Sequence, residues 1–211
     1  MAPVATLYDI HGNLAALEAV LAEVPDDATI VVGGDICAGG ANPSEVLARL
    51  RGLGDRVVWL RGNADRELTR GEEAMVPQEV IDETRALLSD DEIAFLHALP
   101  PTQPLGDVLY CHASPRNDVD IFTERTPDDR LVPLFEGLGV ATVVCGHTHT
   151  QFERVVAGVR IVNSGSVGMP YEEEPGAYWL LDLEPRRTHY DGAELKSSRE
   201  EAVAHFTDIG L

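Results

Sequence analysis

Val140-Ala141-Thr142-Val143-Val144-Cys145, followed by Gly146-His147-Thr148-His149, is the stretch from which the fold can be read. The first six residues form an apolar, β-branched run of the length of one fully buried strand. Gly146 ends the run, and two imidazoles follow two residues apart, in a loop at the strand's carboxyl end. Neutral imidazole is the commonest protein metal ligand, so this pair is a donor set in need of partners. Asp9, His11, Asp35, Asn63 and His112 stand at comparable places. Each comes after a short apolar run: Val4 to Leu7, Thr29 to Val32, Arg56 to Leu60 and Val108 to Tyr110.

Between these runs the apolar spacing changes to that of helices. Asn13 is a plausible N-cap for a helix from Leu14 to Glu23, with Leu14, Leu17, Leu21 and Val24 on one face. Asn42 and Pro43 read as cap and first position of a helix to about Arg51. Glu67 to Leu99 is expected to be helical, with the capping-box form Ser89-Asp90-Asp91-Glu92 opening its last helix, which Pro100 and Pro101 stop. Thr126-Pro127 begins another helix, reaching about Leu138. After Gly146 the pattern turns to strands: Phe152 to Val156 and Val159 to Val162 around the Ala157-Gly158 hairpin signal, then Ala177 to Leu183 and Thr188 to Tyr190. Ser198 to Phe206 reads as a short surface helix. Strands alternating with helices, then antiparallel strands, imply a layered α/β architecture. In open α/β sheets ligands bind beyond the carboxyl ends of the strands, and five separate loops place Asp, Asn or His there.

With 211 residues and 44% hydrophobic content, the chain suits a single domain, residues 1–211, around a good-sized core. No apolar run reaches the roughly eighteen residues of a membrane span. The opening shows no basic start or cleavage-site pattern, so no signal peptide is expected. Three cysteines without framework spacing favour a reducing, cytoplasmic setting. The net charge of −20, from 36 acidic and 16 basic side chains, argues against bulk binding of nucleic acid. A small phosphate ester remains a suitable partner if the site supplies local positive charge, which metal ions would do. Oligomerisation is left open.

The seven side chains offer four imidazole nitrogens, two carboxylates and one amide oxygen. Asp9 and His11, like His147 and His149, flank a single residue, and in an extended loop both members of a pair point the same way. Seven ligands exceed one tetrahedral ion's needs and suit two ions sharing a carboxylate. The absence of thiolates favours manganese, iron or zinc. Such a pair can hold a water as hydroxide and stabilise in-line attack on a phosphoryl group.

Asp9-Ile10-His11, Gly34-Asp35, Gly62-Asn63, His112 and Gly146-His147-Thr148-His149 together resemble the five blocks of the calcineurin-like metallophosphoesterase superfamily. Asn163-Ser164-Gly165-Ser166-Val167-Gly168 resembles a further block of its small single-domain bacterial and archaeal branch. The resemblance runs from about Val4 to Leu183. It implies a four-layer α/β/β/α sandwich with mixed sheets and a dinuclear centre. By the family pattern Asp9, His11, Asp35 and His149 hold one metal, and Asp35, Asn63, His112 and His147 the other, with Asp35 bridging. Asp35, Asn63 and His112 would also serve catalysis. Two divalent ions are expected, with manganese first and iron, zinc or nickel as alternatives.

The sequence departs from that pattern at Ala64. Many relatives carry a histidine there to protonate the leaving group, and alanine cannot transfer a proton. Phosphodiesters with acidic leaving groups, aryl phosphates and phosphoanhydrides are therefore favoured over simple alkyl monoesters. Arg61, Arg66 and Arg116 are candidate clamps for phosphate oxygens, although arginine in a salt bridge is the commoner case. Cys111 and Cys145 read as small buried hydrophobes, whereas Cys37 could line the site. His97, His189 and His205 read as surface or core residues. The expected activity is hydrolysis of a small phosphodiester, phosphomonoester or nucleotide phosphoanhydride by a metal-bridging hydroxide. The alternatives are a serine/threonine-type protein phosphatase and a fold reused as a non-catalytic binding subunit.

Overall fold

The computed structural model describes residues 2–69 and 75–211. It contains two five-stranded sheets packed face to face. In the first, β1 (Val4–Leu7), β2 (Thr29–Gly33) and β3 (Val57–Leu60) run parallel. β9 (Ala177–Leu181) joins antiparallel beside β1, and β10 (Glu184–Thr188) beside β9, giving the order β10-β9-β1-β2-β3. In the second, β5 (Val108–Cys111), β6 (Thr142–Cys145) and β8 (Val159–Ser164) are parallel. β4 (Thr102–Leu105) and β7 (Gln151–Val156) close its two edges antiparallel, in the order β4-β5-β6-β8-β7.

Period-two alternation decides which face each residue takes. Along β1, Ala5 and Leu7 point outward into a cluster with Leu17 and Val20 of α1 (Leu14–Glu23), Val46, Leu47 and Leu50 of α2 (Pro43–Arg51), and residues of two further helices. These are Ile81 of α4 (Gln78–Leu87) and Leu96 of α5 (Asp90–Ala98), which follow the five-residue α3 (Asn63–Glu67). Tyr8, Val31, Leu60, Tyr110, Val144, Val162 and Leu180 point inward and form the layer between the sheets. Val143, Cys145 and Ile161 pack on the outer side of the second sheet against Leu131, Leu134 and Phe135 of α6 (Asp128–Phe135). The layers are therefore helix, sheet, sheet, helix. The tail helix α7 (Arg199–Ile209) follows β10.

Several boundaries differ from the sequence reading. The strand expected over 177–183 ends at Leu181. Asp182 and Leu183 take left-handed φ of 51° and 66°, turning the chain directly into β10. The strand expected over 188–190 accordingly lies earlier, at Glu184–Thr188. β4, to which the sequence reading gave no element, forms a strand with Pro104 on a sheet edge, where a missing N–H is tolerated. The helix expected to reach Leu138 ends at Phe135, ahead of Gly137 with its φ of 74°. The helical reading of 67–99 holds over α4 and α5, and its positions 70–74 lie outside the described residues. Among the described residues no helix is long and apolar enough to cross a membrane.

Tyr8 is the keystone between the sheets. It is fully buried, and its hydroxyl donates across to the Val144 carbonyl at 3.1 Å. Glycines make room for its ring: a Cβ at Gly33 would stand 2.2 Å from two ring atoms, and one at Gly146 would stand 2.5 Å from the ring and 2.5 Å from Asp9 Oδ2. Gly33→Ala is therefore expected to destabilise the fold by about 1–3 kcal/mol through overpacking against a ring that cannot swing away. Calorimetry would read this as a melting point several degrees lower. An unchanged melting point would show that the Tyr8 ring can yield.

Candidate metal centre

All seven sequence-predicted donors meet at one end of the sandwich, where the carboxyl ends of β1, β2, β3, β5 and β6 adjoin. Asp9, Asp35, Asn63 and His112 are almost wholly buried, and His11 and His149 nearly so. Two groups have ligand atoms within 4.8 Å of one another: Asp9, His11 and His149, and Asp35, His112 and His147.

The loops are not extended, contrary to the sequence reading. Asp9, His11, Asp35, His147 and His149 all have φ between 51° and 69°, the left-handed region that non-glycine residues rarely enter. Left-handed residues at positions 9 and 11, and again at 147 and 149, aim both side chains of each pair into one site. Backbone hydrogen bonds hold these conformations. Asp9 N donates to Gly34 O at 3.1 Å, His11 N to Asp35 O at 2.9 Å and Gly12 N to Ile36 O at 2.9 Å, stitching the first loop to the second. His147 N donates to Asp9 Oδ2 at 2.9 Å and Gly146 N to His112 O at 2.8 Å, which ties in the two loops of the other sheet.

The hydrogen bonds also fix the histidine tautomers. A carbonyl can only accept, so an imidazole nitrogen facing one is an N–H. His11 Nδ1 donates to Ala38 O at 2.6 Å, His149 Nδ1 to Met169 O at 2.7 Å and His112 Nδ1 to Gly33 O at 2.9 Å. In the neutral rings the Nε2 lone pairs then point inward. His11 Nε2 and His149 Nε2 lie 3.2 Å apart. His112 Nε2 lies 3.2 Å from Asn63 Oδ1 and 3.5 Å from Asp35 Oδ2. Asp9 Oδ1 is buried without a hydrogen-bond donor, 3.5 Å from His149 Nε2, 3.9 Å from His112 Nε2 and 4.0 Å from His11 Nε2. Lone pairs converging on lone pairs in a buried place are satisfied by cations. The residues thus fit divalent metals, with the Nδ1–H bonds as the outer contacts that orient imidazole ligands.

The protonation equilibria of the metal-free site express the same crowding. Burial depresses His147 to about 4, helped by the nearby His112. Burial and His149 likewise lower His11. For His112 burial works downward too, but the charge and hydrogen bond of Asp35, with Asp9 and the Gly33 carbonyl, outweigh it and hold the ring at about 10. Asp35, although burial opposes it, is held far below the ordinary carboxylate range by His112, His11 and His147.

Three further side chains support the donors: Asp65 and Glu67, to which the sequence reading gave no role, and Asn163, which it quoted only as the start of a family-like block. Asp65 is fully buried and accepts from three backbone amides: Asp35 N at 2.8 Å, Gly62 N at 3.0 Å and Ile36 N at 3.0 Å. It clamps the Asp35 loop to the Asn63 loop. Burial and Asp35 push its carboxyl up to about 7, against the pull of these donors. Glu67, also buried, accepts from Asn63 Nδ2 at 3.3 Å and so turns Asn63 Oδ1 toward His112. Asn163 donates to Gly146 O at 2.8 Å and to Thr148 Oγ1 at 3.1 Å, bracing the loop of the two histidines. The clue to Asp65 was a carboxylate at the third position of a short helix, where it can accept from the N-cap amide.

The three candidate arginines are not brought to the site. Arg61 donates to His97 O at 2.9 Å, Arg66 grips Asp118 at 2.8 and 3.3 Å, and Arg116 grips Asp120 at 2.6 and 3.1 Å. Each is held by an acceptor outside the cleft. Cys37 lies in the outer core, its Sγ 3.5 Å from Pro43 O, and does not line the site. Cys111 and Cys145 are buried, as expected. His189 and His205 are exposed, and His97 is half-buried against Thr69 Oγ1 at 2.8 Å.

The cleft in front of the donors has a volume of about 340 Å³. Its remaining wall comes from the start of α4, the Met169–Tyr171 segment and Phe206 of α7, so the tail helix is more than surface cover.

Known proteins share this chain's fold and family. The family model of the calcineurin-like phosphoesterase superfamily domain matches residues 3–186. An uncharacterized protein of Methanocaldococcus jannaschii is 27% identical over 95% of this chain and 91% of its own length. A metallophosphoesterase from Sphaerobacter thermophilus superposes with a TM-score of 0.72 at 24% identity, over 90% of this chain and 89% of that one. A hypothetical protein from Pyrococcus horikoshii does so with a TM-score of 0.78 at 20% identity, over 91% and 90%. At those identities the two structures share the fold. With its two clustered groups of donors on that fold, the chain belongs to the calcineurin-like phosphoesterase superfamily and is a hydrolase of this metal-dependent family.

Proposed function

We propose that the chain is a dinuclear phosphoesterase that hydrolyses a small phosphodiester, phosphomonoester or nucleotide phosphoanhydride. The observation that carries this reading is the 3.2 Å approach of His11 Nε2 to His149 Nε2 beside the donorless Asp9 Oδ1. Asp9, His11, Asp35 and His149 would hold one ion, and Asp35, Asn63, His112 and His147 the other. Nitrogen and oxygen donors without thiolate suit manganese, with iron, zinc or nickel as alternatives. When bound, such ions supply Lewis-acid charge to phosphoryl oxygens and bring the pKa of a water into the nucleophilic range.

The chain's own side chains narrow the substrate. Ala64 is fully buried, and its backbone N–H donates to Asp35 Oδ1 at 2.8 Å. The position thus orients a ligand and offers the leaving group no proton. Among the described residues no lysine or arginine lines the cleft. A singly charged diester therefore suits it better than a doubly charged monoester, and a leaving group stable as an anion better than an alkoxide. A protein phosphatase or a non-catalytic binding subunit finds no specific support in this cleft, and a binding subunit would not need all seven donors.

Four measurements test the reading. Asp35→Asn, which weakens both ion sites, should lower hydrolysis of bis(p-nitrophenyl) phosphate by at least about a hundredfold, because several kcal/mol of charge stabilisation go with the metals. Its circular dichroism should stay unchanged. Adding manganese should raise the melting point of the wild-type chain, and a chelator should reverse the rise. Rates for a series of aryl methyl phosphates should fall steeply as the phenol pKa rises; a flat series would reveal a proton donor that replaces the histidine. Asp65→Asn keeps one acceptor oxygen for three backbone amides and, even with that oxygen on Asp35 N and Gly62 N, sets its NH2 against Ile36 N, which loses its acceptor. It should cost roughly 10–100-fold in manganese affinity, the usual effect of losing an outer support of a metal site. Unchanged affinity would show that the loops hold themselves.

A further inference from the structure

Opposite the metal ligands the cleft is apolar. Val76 and Pro77 ahead of α4 and Val80 in its first turn line it together with Met169, Tyr171 and Phe206. This wall continues directly from the ligands. The Tyr171 ring stacks on His149 with centroids 5.0 Å apart and 20° between planes, and Phe206 packs on Tyr171 at 5.9 Å. On the other side, a Cβ at Gly39 would stand 3.4 Å from Met169 Cε, 3.8 Å from His11 Nδ1 and 3.9 Å from Val80 Cγ1. A glycine thus keeps open a small space bounded by a metal ligand and two hydrocarbon groups. Among the described residues, the polar side chains lining the cleft are His11, Asp35, Asn63, His147 and His149, plus the Tyr171 hydroxyl, which faces Met169 Sδ at 4.0 Å.

Taking the phosphoesterase reading as given, we propose that this wall selects phosphoesters carrying an apolar aryl or alkyl group over nucleosidic ones, with Phe206 and Val80 as the specificity-determining residues. A nucleoside would bury its sugar hydroxyls and base edges against hydrocarbon, and each polar group left unpaired weakens binding. A phenyl or branched alkyl group has no such groups and gains from leaving water. The anion is held at the metal end, so the two halves of recognition are separable.

Calorimetric titration of the manganese-loaded full chain with phenylphosphonate, methylphosphonate and adenosine 5′-monophosphate separates them. These probes share the anionic end and differ in what meets the wall. Phenylphosphonate should bind about tenfold more tightly than methylphosphonate, the scale expected for burying a good part of one ring, and the nucleotide no more tightly than methylphosphonate. Phe206→Ala should bring the phenyl probe to within about threefold of the methyl probe while the methyl Kd stays within about twofold, and Phe206→Leu should restore most of the difference. A merely structural role for Phe206 would shift both probes together. Should circular dichroism show that Phe206→Ala loses α7, Val80→Ser, on the opposite wall, carries the same expectation. Equal binding of phenyl and methyl probes overturns the specificity inference and leaves the phosphoesterase reading standing. Tighter binding of the nucleotide than of the phenyl probe overturns it in favour of nucleoside recognition. Failure of all three to bind overturns the specificity inference, and absence of bis(p-nitrophenyl) phosphate hydrolysis alongside it overturns the phosphoesterase reading as well.

Discussion

A buried place where acceptors meet acceptors constrains everything else in this molecule. Two imidazole nitrogens with inward lone pairs lie 3.2 Å apart, and a carboxylate oxygen without a donor stands beside them. Left alone, such an arrangement repels itself, and burial removes the water that would relieve it. The fold nonetheless holds five of the seven donors in left-handed conformations, each costing on the order of 1–3 kcal/mol for a non-glycine residue. Strain of this kind persists only where the surroundings over-determine it. Here they do so through the amide-to-carbonyl stitches between loops and the three-amide clamp of Asp65.

The two-sheet architecture is what makes this convergence feasible. A single parallel sheet would spread its carboxyl ends along one line. Packing two sheets face to face with β1, β2 and β3 of one beside β5 and β6 of the other brings five strand ends around one point. Tyr8 sets the spacing by bridging to β6 through the Val144 carbonyl. Gly62 is needed for the same closeness, since a Cβ there would stand 2.1 Å from Asp35 Oδ1. His112 crosses between sheets directly, with its ring anchored on Gly33 O and its carbonyl on Gly146 N.

The donors were legible in the sequence because each follows a buried apolar strand, and strand ends are where a layered α/β fold gathers function. What stayed hidden depends on groups far away in the chain. β4 and β10 carry Pro104 and Pro185 and lie on sheet edges, so neither shows the apolar alternation that marks a half-buried strand. α3, with five residues, is too short to show a period. The arginines misled because a guanidinium goes to the best acceptor within reach, and for Arg66 that is Asp118, fifty-two positions away. Phe206 was invisible as a site residue because one aromatic on an amphipathic tail helix looks like ordinary packing.

That outcome for the arginines bears on how this site handles charge. In a chain of net charge −20 a free guanidinium in the cleft would be the obvious way to attract a phosphate. Arg66 and Arg116 are instead neutralised by Asp118 and Asp120. Among the described residues, the positive charge to receive a substrate would then come from bound ions, and long-range steering contributes little. Recognition beyond the phosphoryl group falls to the contacts that remain along the cleft, and among the described residues those are hydrocarbon apart from the Tyr171 hydroxyl. A site assembled this way separates its two tasks: the buried donors fix where the anion binds, and the apolar wall discriminates among the groups attached to it.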